Sequence, residues 1–118
     1  IRIDPDASNA HCSIGFVYDK LGFHKDAIEV YKQAIRIDPD NANAYCNLGA
    51  TYGKLGFYKD AIEAFKQANR IDPDYAKAHF GLGFAYFQIG DRNSALEEYK
   101  ILKELDIDLA NELFDLIY

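Results

Sequence analysis

The sequence predicts an all-α fold, an α-solenoid of stacked antiparallel helix pairs. Three observations carry that expectation. The tetrapeptide Ile-Asp-Pro-Asp occurs at residues 3–6, 37–40 and 71–74, always 34 residues apart, and a period of that size marks a repeat array. Residues 8–41 and 42–75 are identical at about two-thirds of their positions, more than shared helix composition gives. Each copy also holds two stretches of helically spaced apolar residues separated by a glycine.

Residues 1–7 read as the tail of a preceding repeat, because residues 1–6 repeat the sequence of 35–40. The chain begins with Ile1 and reads as part of a longer protein. In the copy at 42–75, a first helix is expected over 42–55. Tyr45, Leu48, Gly49 and Tyr52 lie at helical spacing, and Gly56 supplies the stop. A second helix is expected over 58–71, with Ala61, Ile62, Phe65 and Ala68 inward. Lys59, Glu63, Lys66 and Arg70 face solvent, with Lys59–Glu63 and Glu63–Lys66 at ion-pair spacing. Asp72-Pro73-Asp74 ends it, since proline disfavours helical geometry in the residue before it. The copy at 76–109 is more diverged. It keeps Gly83, Tyr86, Gly90, Ala95 and Tyr99, but has Leu102 for Ala34 and Ala68, and Ile107 for Pro39 and Pro73. Residues 110–118 read as a capping helix or the start of a further repeat.

Gly15, Gly49 and Gly83 sit mid-helix at one phase, where glycine costs about 1 kcal/mol against alanine. Close approach of the second helix is the expected reason, with Ala27, Ala61 and Ala95 as small partners. Tyr18, Tyr52 and Tyr86, with Tyr31, Phe65 and Tyr99, are expected to fill the space between units.

Composition narrows the function. Of 118 residues, 49% are hydrophobic, so a packed core is expected. The net charge of −6 argues against nucleic acid or an anionic membrane as partner. No apolar run reaches the roughly 18 residues of a membrane span. Cys12 and Cys46 lie one period apart. Equivalent helices stand about 10 Å apart, too far for a disulfide, whose Cα atoms lie within roughly 7 Å. Nothing demands an oxidising compartment, and a cytoplasmic setting is expected.

The chain resembles the tetratricopeptide repeat family. The second copy carries its pattern as Tyr45, Leu48-Gly49, Tyr52, Ala61, Phe65, Ala68 and Pro73. The first carries His11, Ile14-Gly15, Tyr18, Ala27, Tyr31, Ala34 and Pro39. The third carries His79, Leu82-Gly83, Tyr86, Ala95 and Tyr99, then departs at Leu102 and Ile107. The resemblance implies a right-handed superhelix that binds a peptide or partner helix in a concave groove lined by the first helix of each pair. It also implies which positions face that groove, counted from Ser8, Ala42 and Ala76. Position two is Asn9, Asn43 and Lys77, and position five is Cys12, Cys46 and Phe80. Position nine is Phe16, Ala50 and Phe84, and position twelve is Asp19, Gly53 and Phe87. Position thirteen is Lys20, Lys54 and Gln88. The expected groove has a polar rim and an apolar floor that grows aromatic toward Phe80, Phe84 and Phe87. Those rings alternatively pack on the C-terminal helix. Asn9 and Asn43 can bond both the N–H and C=O of an extended peptide, or merely favour a helix start.

Some members of the family clamp a partner's C-terminal carboxylate with five Lys, Asn and Arg side chains. Only Asn47 and Lys77 match here. Cys12, Phe16 and Gly81 stand at the other three positions, so a full clamp is not expected. No catalytic site, metal or cofactor is expected either. His11 and Cys12 are adjacent on a helix and point about 100° apart, and no cysteine or histidine spacing suits zinc. The function expected is a non-catalytic scaffold for a protein or peptide ligand. The alternatives are a targeting arm of a larger enzyme and an element that self-associates through its open N-terminal end and the apolar helix at 109–118. Phe84→Glu is expected to harm the groove, and Leu113→Glu to harm end-on association.

Overall fold

The computed structural model describes residues 2–118. Ile1, the first residue of the expected preceding tail, lies outside the described residues. Among the described residues there are seven helices and no strand: α1 Pro5–Lys20, α2 His24–Ile37, α3 Ala42–Lys54, α4 Tyr58–Ile71, α5 Ala76–Gln88, α6 Arg92–Leu105 and α7 Ile107–Ile117. Helices α1, α3 and α5 end in the same way. At α3 the N–H of Gly56 bonds the Gly53 carbonyl at 3.1 Å and that of Phe57 bonds Tyr52 at 2.9 Å. Gly56 has φ +80°, and Gly22 and Gly90 match it at +87° and +86°. This is the Schellman stop, in which a left-handed glycine lets the chain turn back antiparallel. Tyr18–Phe23 and Tyr52–Phe57 add edge-on ring contacts across the first two turns, each with centroids 6.4 Å apart.

The joints between pairs rest on aspartate more than on proline. Asp38, Asp72 and Asp106 are all extended, with ψ of 98°, 93° and 97°. Each accepts, through Oδ1, the N–H two residues on, at 3.1 Å. Ile107 therefore replaces proline without loss of the joint. Asp106 is at once the C-cap of α6 and the N-cap of α7, so α7 follows with no intervening turn. Residues 5–7, expected in the preceding tail, instead form the first turn of α1. Ala7 stands where Asn41 caps α3, and alanine caps poorly. The helix reaches back to Asp4, which caps Ala7 N–H at 3.1 Å with Pro5 at the first helical position.

Helices α1, α3, α5 and α7 touch in succession along an inner layer, while α2, α4 and α6 touch only their chain neighbours. The molecule is accordingly elongated, 42 × 27 × 21 Å. Its core runs through it as linked clusters. Ala61, Ile62, Phe65 and Ala68 of α4 pack on Cys46 of α3 and on Ala78, Leu82 and Ala85 of α5. Tyr52 and Tyr86 each bridge two clusters, as expected of residues between units, but Tyr18 is 37% exposed. The mid-helix glycines do admit close packing, although the partner differs from expectation. A Cβ on Gly15 would lie 2.6 Å from the Tyr31 ring, and one on Gly49 would lie 2.9 Å from the Phe65 ring. Rings, rather than the alanines, fill these hollows. At Gly83 the intruder is Leu113 of α7, 2.5 Å from such a Cβ.

Leu113 is thus fully buried, in a cluster with Ala95, Leu102, Ala110 and Ile117. Leu102 is large where Ala34 and Ala68 are small, and α7 is what it packs against. The Leu113→Glu change therefore probes folding, not end-on association. Outer Lys59, Glu63 and Lys66 are exposed and unpaired among the described residues. The only ion pair within an outer helix there is Lys100–Glu97 at 3.2 Å, and such exposed pairs contribute little.

Candidate functional site: a concave groove

The inner layer encloses two adjoining cavities. One, between α3 and α5, has a volume of about 480 Å³ and takes in Cys46, Asn47, Ala50, Lys54, Lys77, Phe80 and Phe84 from the sequence-predicted set. The other, between α1 and α3, has about 490 Å³ and takes in Asn9, Cys12, Phe16, Asn43, Asn47 and Lys77. Asn47 and Lys77 border both, so the two cavities form one groove. Lys20, Phe87 and Gln88 line neither. Lys20 instead lies 5.2 Å from the centre of the Phe16 ring. Phe87 packs on the cluster around α7, and Gln88 is exposed at the end of α5. The aromatic stripe thereby divides. Phe84 belongs to the groove, Phe87 to the core, and Phe80 to both.

Sequence reasoning missed Tyr58 and Phe65, which belong to the outer helix α4 yet line the first cavity. Phe65 reaches it because Gly81 carries no side chain. A Cβ on Gly81 would strike the Phe65 ring. Glycine at position 81 was the signal available.

Polar groups around the groove are locked in a definite sense. Ala44 N–H donates to Asn41 Oδ1 at 3.1 Å, so Asn41 turns its amino group to Ser8 Oγ at 2.8 Å and Asn9 Oδ1 at 3.1 Å. Ser8 Oγ donates in turn to the Ala34 carbonyl at 2.7 Å. Asn41, not Asn43, caps α3. Asn43 Oδ1 accepts from the Tyr75 hydroxyl at 3.1 Å. Each candidate amide thus has one internal hydrogen bond on its oxygen.

Asp19 is buried at the edge of the groove and accepts from Lys54 Nζ and, at 2.6 Å, from His24 Nδ1. Burial alone would raise its pKa, but the bonds and charges of Lys54 and His24 outweigh that and hold it below the ordinary carboxylate value. Lys54 is thereby neutralised. Burial raises both thiols above their ordinary value, offset in part by Asn41 at Cys12 and by Tyr75 and Lys77 at Cys46. Both are free and protonated at neutral pH. His11 Nδ1 lies 2.8 Å from the Ala7 carbonyl, away from Cys12. Among the described residues no three His, Cys, Asp or Glu side chains converge as a metal site, and no helix is long and apolar enough to cross a membrane.

His79 offers a test by pH. Its Nδ1 lies 2.7 Å from Glu98 Oε1 of α6 and its Nε2 2.7 Å from the Pro73 carbonyl, so both nitrogens meet acceptors and the doubly protonated ring satisfies both. Burial works against that charge, but the Glu98 and Pro73 bonds, with the charges of Glu98 and Asp74, win and raise its pKa above 6.5. The stabilisation is fully present below the unfolded value of about 6.5 and is lost as pH rises through the folded value. Melting temperature is expected to fall across that window, and the fall to vanish in His79→Gln. A flat wild-type profile would contradict this assignment.

The fold and groove define a helical-repeat protein with an open inner surface. A model described as TPR repeat matches residues 20–56 and 54–90, more than half of the chain, and the chain belongs to the tetratricopeptide repeat family. Solved structures agree. The first TPR of Spaghetti (RPAP3), bound to the HSP90 peptide SRMEEVD, is 25% identical with a TM-score of 0.91, over 98% of this chain and 94% of that one. The second TPR of the same protein, bound to the same peptide, is 28% identical with a TM-score of 0.82, over 84% and 92%. The Sgt2 TPR domain from Aspergillus fumigatus is 28% identical with a TM-score of 0.89, over 98% and 79%. No curated protein sequence matches the chain.

Proposed function

We propose that the chain is a non-catalytic interaction module whose groove takes a peptide segment of a protein partner. The observation that carries this is the continuous pair of cavities along α1, α3 and α5, apolar at one end and mixed polar and apolar at the other. The two Spaghetti structures hold a peptide, which supports the same use here. Two buried free thiols suit a reducing compartment such as the cytoplasm. The five-residue carboxylate clamp is not proposed. Asn47 and Lys77 do lie together in the groove, but Cys12, Phe16 and Gly81 supply no cation. Tight binding of SRMEEVD that Lys77→Ala abolishes would contradict that exclusion.

Peptides selected from a random display library test the proposal by calorimetry. Phe84 is half-buried and lies edge-on to Tyr58 with ring centres 6.5 Å apart. Phe84→Glu places a charge on the apolar end and is expected to weaken binding at least tenfold, about 1.4 kcal/mol, with the fold retained. Unchanged affinity would mean that the peptide binds elsewhere.

A second reading is end-on self-association. Ile14, Val17 and Leu21 of α1 are 49%, 55% and 65% exposed, whereas Leu48 and Thr51 at the equivalent places of α3 are buried. A second copy seated there would make mass rise with concentration in light scattering, and Val17→Glu would abolish the rise. A constant monomer mass would dismiss it.

A further inference from the structure

We infer that the groove selects its ligand by one large apolar side chain inserted between α3 and α5, with main-chain carbonyls of the ligand held by the amino groups of Asn9 and Asn43. This rests on the peptide-binding reading and narrows it to a class of segment.

The cavity is a side chain that the middle repeat lacks. Position nine is Phe16 in the first repeat and Phe84 in the third, but Ala50 in the second. Position twelve is Asp19 and Phe87 on either side, but Gly53 in the middle. Opposite them α5 presents Gly81, so the ring of Phe65 forms the back wall, flanked by Phe80 and Phe84. A gap of this kind forfeits dispersion contacts that an inserted apolar group regains, and burying such a group is favourable.

The polar end fixes what the main chain must offer. The bond sequence from Ala44 N–H through Asn41 and Ser8 to the Ala34 carbonyl begins on an obligate donor and ends on an obligate acceptor. Its direction is therefore set, and with it the orientation of Asn9, whose oxygen receives Asn41. Asn43 Oδ1 accepts from the Tyr75 hydroxyl. Each leaves Nδ2 to bond a ligand, and Nδ2 only donates. Lys77, the third residue at position two, also only donates and has no acidic partner among the described residues, whereas Lys54 is held by Asp19. A row of donors complements the carbonyl oxygens of an extended segment. It requires no free C-terminus.

Two small probes isolate the apolar anchor. N-acetyl-leucine methylamide and N-acetyl-serine methylamide are titrated into labelled protein and followed by NMR. The leucine probe is expected to shift the amides of Ala50, Gly81 and Ala85, the serine probe to leave them, and Ala50→Phe to abolish the leucine response. Phenylalanine already occupies position nine in two repeats, so the variant is expected to fold. Gly53→Leu fills the same space, and a Cβ there meets nothing within 4 Å. Random peptides displayed without a free C-terminus are then selected on each protein. The wild-type pool is expected to share one large apolar position that the Ala50→Phe pool lacks. Asn9→Asp with Asn43→Asp, which turns donors into acceptors, is expected to cost the selected peptides at least tenfold in affinity. Equal responses to the two probes, a leucine response surviving in both filled variants, or affinity unmoved by the aspartates would overturn the inference. Groove-dependent peptides without an apolar consensus would overturn it and leave the peptide-binding reading standing. No groove-dependent peptide at all would overturn both.

Discussion

Phe65→Ala is expected to cost about 3–5 kcal/mol of stability, the range for emptying an aromatic site in a core. Phe65 is 5% exposed, and its ring lies between Gly49 of α3 and Gly81 of α5, packed with Ala61, Ile62 and Leu82. Neither glycine can extend to fill the space. Three helices from two repeats would lose their common contact. Urea unfolding measures it, with Phe57→Ala as the contrast, since Phe57 is 51% exposed. A loss at Phe65 no larger than that at Phe57 would show that the inter-repeat core is misplaced.

Leu113→Ala is the second large change, expected to cost about 2–5 kcal/mol. The side chain is fully buried and sits in the hollow that Gly83 leaves in α5. Because α7 touches only α5 and α6, the loss is expected to show first as undocking of that helix. Hydrogen exchange would then be faster at the amides of Ile107–Ile117, while α1 to α4 keep their protection. Leu116→Ala, at a residue 45% exposed, should change little. Equal effects at the two leucines would mean that α7 does not dock through Leu113.

Much of this was legible in the sequence because the repeat supplies its own controls. The apolar positions of α4 and the bounds of α4 itself follow from the helical spacing, the glycine stop and the proline turn. The inner layer was legible only through the family resemblance. What escaped was contact between side chains distant in sequence. Nothing in the local pattern says that the hollow of Gly83 is filled from α7, or that Asp19 reaches Lys54 across two helices. Cys12 and Cys46 illustrate the same limit. They border the groove as expected but are 3% and 6% exposed, so they form its walls more than its surface. Asn9 and Asn43 border the groove, yet the direction of the Asn9 amide depends on Asn41, 32 residues away.

A binding surface on the concave inner layer has a simple spectroscopic signature. Chemical-shift mapping of a library-selected peptide on labelled protein reads it residue by residue. Perturbations are expected to concentrate at Asn9, Asn43, Asn47, Ala50, Lys77 and Phe84 on α1, α3 and α5. Perturbations confined to the outer faces of α2, α4 and α6, or to the exposed end of α1, would contradict a concave binding surface.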